Sequence, residues 1–238
     1  KLRDVSTATQ RMSVQVTYWA GRGRAEPLRN LLAAGGIEFG NTCLTAESGV
    51  ADLAALRSTG KLAYDQLPLV EIDGLNLAQN FPSAVYIAQK GGLYPVEPVD
   101  QFTAGHVWAA SQDARLPMLG FPFHGDKEKV WTEISGDKAL IGRFFPKWEA
   151  LLAKGGGPFF LGARASFADV GVFEAIDCLQ DLFGAAKLEE VTAGFPLLRA
   201  HYTVTKALGR LKVWCEERPK VFLPPPEYAA AVNTTLGR

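Results

Sequence analysis

The sequence predicts an α/β unit followed by an all-helical one, on three observations. Ser13 to Tyr18 (SVQVTY) alternates around Val14, Val16 and Tyr18, then passes within a few residues to Leu28, Leu31 and Leu32 at helical spacing. Leu67 to Ile72 and Leu75 to Leu77 flank Asp73-Gly74, the pair that favours a two-residue hairpin turn. From Val99 onward no run alternates convincingly, while helical spacing recurs.

Each element follows in order. The first strand ends at the punctuation Ala20-Gly21-Arg22-Gly23, and a helix is expected from Arg24 to Ala34, with Pro27 tolerable because it lies in the first turn. Gly35-Gly36 stops it. Ile37 to Leu44 reads as a weaker strand, Val50 to Leu56 as a short helix, then the hairpin, then a helix over Asn80 to Lys90. The order β-α-β-α-β-β-α fills an N-terminal domain over 13–94. Pro95 and Pro98 lie in the connection to a helical domain over 99–236, with helices near 99–118, 127–153, 166–184 and 196–210. Ser166 and Asp169 approximate a capping box just ahead of an apolar run. Pro219 and Pro224-Pro225-Pro226 end the bundle, and Glu227 to Leu236 is expected to lie back on it as a short helix.

Composition removes several function classes. At 238 residues, 47% hydrophobic and 21% charged, the chain is a folded globular protein rather than a disordered one. Its 25 basic residues balance its 25 acidic ones, so no global field exists to hold a nucleic acid. No apolar run is long enough to span a membrane. Cys43, Cys178 and Cys215 fit neither a disulfide framework nor zinc-ligand spacing, which favours a reducing compartment, and no metal is expected. An N-terminal extension, 1–12, is polar with three basic residues and one acid; it reads as a targeting stub, a tag remnant or an extension before Met12. A cytoplasmic location is expected, with an organellar one left open by that extension.

A small β-α-β-α-β-β-α unit followed by helices is the plan of the cytosolic glutathione transferases, and particular residues carry the resemblance. Tyr18-Trp19-Ala20-Gly21-Arg22-Gly23-Arg24-Ala25-Glu26-Pro27 resembles the strand end and first helix of the tyrosine-type classes. Gln66 to Gly74 is similar to their glutathione-binding loop and hairpin, and Leu77-Ala78-Gln79, Tyr86-Ile87-Ala88 and Leu93-Tyr94-Pro95 continue the pattern. Arg143-Phe144-Phe145-Pro146, Phe160-Leu161-Gly162, Ser166-Phe167-Ala168-Asp169 and Phe195-Pro196-Leu197-Leu198 keep it in register through the helical part. Each motif is weak alone, but their joint order over roughly residues 14 to 215 is specific. The flavour is closest to the alpha class, with sigma as neighbour. The resemblance implies a thioredoxin-like N-terminal domain and attack of a glutathione thiolate on a hydrophobic electrophile.

The resemblance also implies roles. Tyr18 would donate its phenolic hydrogen to the sulfur and Arg24 would place a fixed positive charge nearby. A thiol with a pKa near 8.5 is only a few per cent ionised at pH 7, and one hydrogen bond to an anion, worth about 1.5–3 kcal/mol, lowers that pKa by roughly one to two units. Arg57 and Gln66 would meet the glycyl end, Leu67 would pair with the cysteinyl backbone ahead of a cis Pro68, and Gln79 with Asn80 would hold the γ-glutamyl carboxylate at a helix N-terminus. Asn80 departs from the family's usual Ser or Thr, but its amide can still donate. Asp113, facing the γ-glutamyl ammonium, and Arg143 are expected to act across a subunit interface, with Tyr64 as the aromatic key of a homodimer. Trp19, Ala20, Gly21, Met118, Leu119 and the segment from Phe222 to Leu236 are the candidate electrophile pocket. That last segment does not follow the alpha-class ending closely.

Competing readings are simple to state. Taken singly, Tyr18 would be a half-buried structural tyrosine, Arg24, Arg57 and Arg143 surface charges, Asp113 an exposed helix residue, and Asn80 a helix cap. Gly21-x-Gly23 has Glu26 where a dinucleotide fingerprint needs glycine. Ser58-Thr59-Gly60-Lys61 and Ser135-Gly136-Asp137-Lys138 match S-x-x-K without its companion motifs. His106, His124 and His201 are dispersed. At the level of function, the alternative to a transferase is a non-catalytic binding or assembly subunit of the same fold within a larger complex. Peroxide reduction and isomerisation are further activities of such a site.

Overall fold

The computed structural model describes residues 14–218 and 226–237. The extension 1–12 and Pro219, Phe222, Pro224 and Pro225 lie outside the described residues.

The N-terminal part runs β1 (Val14–Trp19), α1 (Glu26–Ala34), β2 (Phe39–Leu44), α2 (Gly49–Ser58), β3 (Leu69–Ile72), β4 (Leu75–Leu77) and α3 (Asn80–Lys90). Its sheet has the order β2-β1-β3-β4, with β1 parallel to β2 and the other pairs antiparallel. The α1 crossover supplies the connection that a parallel pair requires. Every residue of α1 is buried, because one side meets α3 and the other meets helices of the C-terminal part.

The remainder is helical: α4 (Pro98–His124), α5 (Lys127–Ser135), a π turn (Leu140–Phe144), α6 (Phe145–Gly155), α7 (Phe167–Phe183), α8 (Ala185–Thr192), α9 (Pro196–Lys206), α10 (Leu211–Glu217) and α11 (Pro226–Thr235). Four differences from expectation have local causes. Helix α4 runs on past residue 118 with Pro117 and Pro122 inside it, closing only where Gly125 turns left-handed. The expected helix 127–153 is broken at Gly136 and restarts through the π turn. Gly184, at φ 90°, ends α7 where expected, but the chain then enters a short helix, α8, that was not expected. The segment 196–210 stops at Lys206, and the Arg210 N–H donates to the Ala33 carbonyl at 2.8 Å before α10 begins.

One core runs through both parts. Val16, Leu28, Leu31, Val70 and Ile87 from the N-terminal part join Trp108, Phe121, Phe167, Val172 and Phe173, and each large buried side chain contributes about 1.5–3 kcal/mol by leaving water. Helices α4 and α7 pack closely at Gly171, where a Cβ would come within 2.6 Å of Ser111 Oγ and 2.9 Å of the Trp108 ring. The capping box forms as expected: Asp169 Oδ2 accepts from the Ser166 N–H at 2.7 Å, while its Oδ1 accepts from the Phe160 N–H and meets the buried His201 Nε2 at 2.9 Å. The C-terminal helix α11 lies against α2 and α4 and buries Ala231 and Val232 beside Trp19, Leu44 and Leu53. It thereby closes one end of a cleft between the two parts.

Candidate active site

The cleft encloses about 640 Å³, within the range of small-molecule sites. Its N-terminal wall gathers Tyr18, Trp19, Gly21, Arg24, Arg57, Gln66, Leu67, Pro68, Gln79 and Asn80. The opposite wall is apolar: Leu116, Met118, Leu119, Pro122 and Phe123 from α4, with Val232 and Leu236 from the C-terminal segment. Most residues singled out from the sequence therefore converge on one cavity.

Three do not. Ala20 faces the cluster around Trp19 and Leu44 rather than the cleft lining, because it follows β1 on the side toward β2. Asp113 is exposed and lines a smaller adjoining cavity of about 210 Å³, shared with Arg24, Asn80 and Arg115. Arg143 is exposed on the π turn, its guanidinium carbon 5.0 Å from the Phe144 ring centroid, outside both cavities. Phe222 lies outside the described residues.

Tyr18 is set at the end of β1 with its hydroxyl directed back over the following loop. The Arg24 N–H donates to Tyr18 Oη at 3.1 Å, so the phenolic hydrogen itself remains to be given to a ligand. The loop can approach this closely only because residue 23 is glycine. A Cβ there would lie 2.4 Å from Tyr18 Oη, and its φ of +42° is one that side chains rarely adopt. Behind the ring, the guanidinium carbon of buried Arg29 stands 5.8 Å from the Tyr18 centroid, a cation over the aromatic face. Arg29 is held by the Gly21 carbonyl at 2.8 Å, Asn41 Oδ1 at 2.9 Å and Glu26 at 3.2 Å.

At the start of α3, Gln79 has φ 68°, a strained conformation for a non-glycine residue, costing about 1–3 kcal/mol. The Gln79 side chain makes no cap hydrogen bond to this helix, whose N-cap and first residue, Gln79 and Asn80, line the cleft. Asn80 is oriented by Trp108, whose Nε1–H donates to Asn80 Oδ1 at 3.0 Å. An indole can only donate, so this contact fixes the amide oxygen inward and leaves the amide hydrogens for an acceptor. The Leu67–Pro68 bond is cis, as expected. Arg57 directs Nε to the Asp65 carbonyl at 3.0 Å and one terminal nitrogen to the Thr235 carbonyl at 3.4 Å, tying α2 to the end of α11. Tyr64 is 64% exposed at the rim of the cavity.

Beneath the tyrosine loop lies a buried ionic network that composition could not reveal. Glu174, Asp177 and Asp181 form an acidic ridge along α7, three and four residues apart. Arg22 meets Glu174 at 2.6 Å, Asp177 at 3.0 Å and also Asp181. Arg218 meets Asp177 at 2.5 Å and Glu26 at 3.1 Å, and Arg115 meets Glu174 at 3.1 Å. Burial alone would raise the Asp177 carboxyl, but Arg22 and Arg218 outweigh it and hold the group at about 2. Glu26 behaves alike: burial raises it, and Arg29, Arg22 and Arg218 bring it below the usual range. Burial pushes both Cys178 and Cys215 up to about 12, which leaves them inert as nucleophiles at neutral pH.

Comparison with known proteins agrees with this geometry. The family described as glutathione S-transferase, C-terminal domain, matches residues 112–218. Glutathione S-transferase alpha-5 of Rattus norvegicus is 36% identical over 197 residues, covering 82% of this chain and 85% of its own. Glutathione S-transferase A4 of Mus musculus is 33% identical over 224 residues, covering 92% and 96%. Among solved structures, the glutathione S-transferase from Ascaris lumbricoides superposes with a TM-score of 0.71 at 26% identity, covering 88% of this chain and 99% of its own. With the sheet order, the cis proline and the tyrosine-lined cleft in place, the chain belongs to the glutathione S-transferase family.

Proposed function

We propose that this cleft binds glutathione, ionises its thiol against Tyr18, and presents the thiolate to a hydrophobic electrophile lodged against α4 and α11. The observation that carries the reading is the position of Tyr18 Oη, which already accepts from the Arg24 N–H and so has its own hydrogen left to give. In the conjugation the sulfur lone pair forms the new bond to carbon. The electrophile's leaving group departs with its electron pair, or an activated double bond takes up a proton, while the thiol proton passes to solvent. Tyr18 stays protonated and stabilises the anion that attacks.

The remaining residues divide the ligand's charges among them. Asn80 and the uncapped N-terminus of α3 suit a carboxylate, and Gln79 lies beside them. Arg57 and Gln66, which line the same cleft with Leu67, suit the second carboxylate. Arg24 adds a fixed cation where the two cavities meet. The apolar wall favours bulky hydrophobic electrophiles, since it offers few polar partners.

A homodimer completes the reading. Asp113 and Arg143 are exposed, and Tyr64 stands 64% exposed, as residues serving a second copy should be. Domains meeting near residues 94–99 and a cytoplasmic location, with its reducing milieu for three free thiols, belong to the same proposal. The alternative of a non-catalytic subunit predicts glutathione binding without turnover. Assay of the unmodified protein with glutathione and a generic aromatic electrophile separates them: turnover is expected, and tight glutathione binding with none would leave the binding role alone standing.

A further inference from the structure

The Gly23–Arg24 peptide unit is engaged at both ends. Its N–H, on Arg24, donates to Tyr18 Oη at 3.1 Å; its C=O, on Gly23, accepts a short hydrogen bond from the Arg115 guanidinium at 2.6 Å. Arg115 is 1% exposed, sits on the inward face of α4 with Ser111 and Met118, and is braced by Glu174 at 3.1 Å. We infer that Arg115 is a positioning residue for the thiol chemistry, acting on Tyr18 through this one peptide.

The physical route is short. A cation on the carbonyl oxygen draws electron density through the resonant C–N bond and makes the attached N–H a stronger donor. That stronger donor draws on the phenolic oxygen, and a phenol that accepts a better hydrogen bond gives its own hydrogen more strongly. The guanidinium also fixes the loop mechanically, because a peptide held at both ends cannot rotate away from the tyrosine. The anion gaining from this relay is the glutathione thiolate, so the inference rests on the role proposed above for Tyr18. Polarisation of about 10–30% per linked bond corresponds to roughly a two- to threefold change in thiolate fraction at neutral pH.

The test is titration of enzyme-bound glutathione by its thiolate absorbance, on the full chain at saturating glutathione, with Arg115→Lys, Arg115→Gln, Tyr18→Phe and the Tyr18→Phe, Arg115→Gln double variant. Arg115→Gln should raise the thiol pKa, lowering the thiolate at pH 7 about threefold, with glutathione KM changed less than twofold and kcat carrying the loss. Arg115→Lys, which keeps a charged donor, should restore the wild-type titration. In the Tyr18→Phe background Arg115→Gln should add nothing. An unchanged thiol titration in Arg115→Gln would overturn the inference. So would a shift that persists without the Tyr18 hydroxyl, which is through-space attraction, or loss of glutathione binding in both single Arg115 variants, which is a structural role only. If Tyr18→Phe leaves the thiol titration untouched, the role of Tyr18 itself fails, a result separate from these.

Discussion

Trp108 Nε1 donates to Asn80 Oδ1 at 3.0 Å, and the two residues come from opposite parts of the fold, α4 and the first turn of α3. The family resemblance leads one to expect Ser or Thr at position 80, and this contact shows how the protein holds an Asn there. The indole holds the amide oxygen, which leaves the amide hydrogens of a cleft-lining residue for the carboxylate proposed to bind there. Trp108→Phe keeps most of the buried ring and removes only the donor, so glutathione KM should rise about two- to tenfold with kcat little changed. Steady-state kinetics with glutathione as the varied substrate checks this, and an unchanged KM would detach Asn80 from ligand binding.

Gly23 admits no side chain. Gly23→Ala brings a Cβ to 2.4 Å from Tyr18 Oη and forces alanine to a φ of +42°. Activity should fall at least about tenfold, and stability by about 1–3 kcal/mol. Denaturant titration alongside the conjugation assay measures both. A fully active alanine variant would mean that the loop does not hold the tyrosine as described.

The buried network sets the response to acid. Asp177 is held at about 2 in the folded protein, below its ordinary value of 3.8, so the unfolded chain binds a proton first as pH falls. Its contribution is therefore fully present above about pH 4 and is lost between about pH 4 and pH 2, amounting to about 2–3 kcal/mol. Asp177→Asn should flatten that limb of the stability curve and lower stability at neutral pH, since Arg22 and Arg218 lose a buried partner. Equilibrium unfolding from pH 2 to pH 7 follows the effect. A variant with the wild-type slope over that interval would assign acid sensitivity elsewhere.

The dimer proposal turns on Tyr64. Its ring is largely exposed, and Val99 and Phe102 on α4 are each about three-quarters exposed as well. Tyr64→Ala should shift the protein toward monomer at micromolar concentration in sedimentation velocity, with reduced activity per chain if Asp113 and Arg143 serve a partner's site. A wild-type protein that sediments only as monomer would remove those two roles.

What the sequence disclosed followed from local chemistry. The Asp73-Gly74 turn, the helix from Asn80 to Lys90 and the Ser166–Asp169 capping box depend on neighbours within a few positions, and all three stand as read. Tyr18, Arg57, Gln66 and Asn80 were legible through motif order, and the structure brings them to one cleft. Arg29 and Arg115 were not singled out, because each acquires its role from residues distant in sequence. A signal for Arg115 existed: positions 108, 111, 115 and 118 form one helical stripe, and a charge inside it must be paired when buried. The row Glu174, Asp177 and Asp181 on the most apolar helix was the matching clue. The break at Gly136 escaped because helical spacing continues across it, and the short helix α8 after Gly184 was not read at all.

The central claim is that the Tyr18 hydroxyl makes the thiolate. The most direct measurement compares kcat/KM for glutathione conjugation of a generic aromatic electrophile between the unmodified protein and Tyr18→Phe at pH 7. Losing one hydrogen bond to an anion should cost roughly 1.5–3 kcal/mol, a fall of about ten- to a hundredfold that narrows as pH rises and the thiol ionises unaided. A Tyr18→Phe protein with full activity at pH 7 would contradict the account, and would move the source of thiolate stabilisation to Arg24 or the surroundings of Trp19.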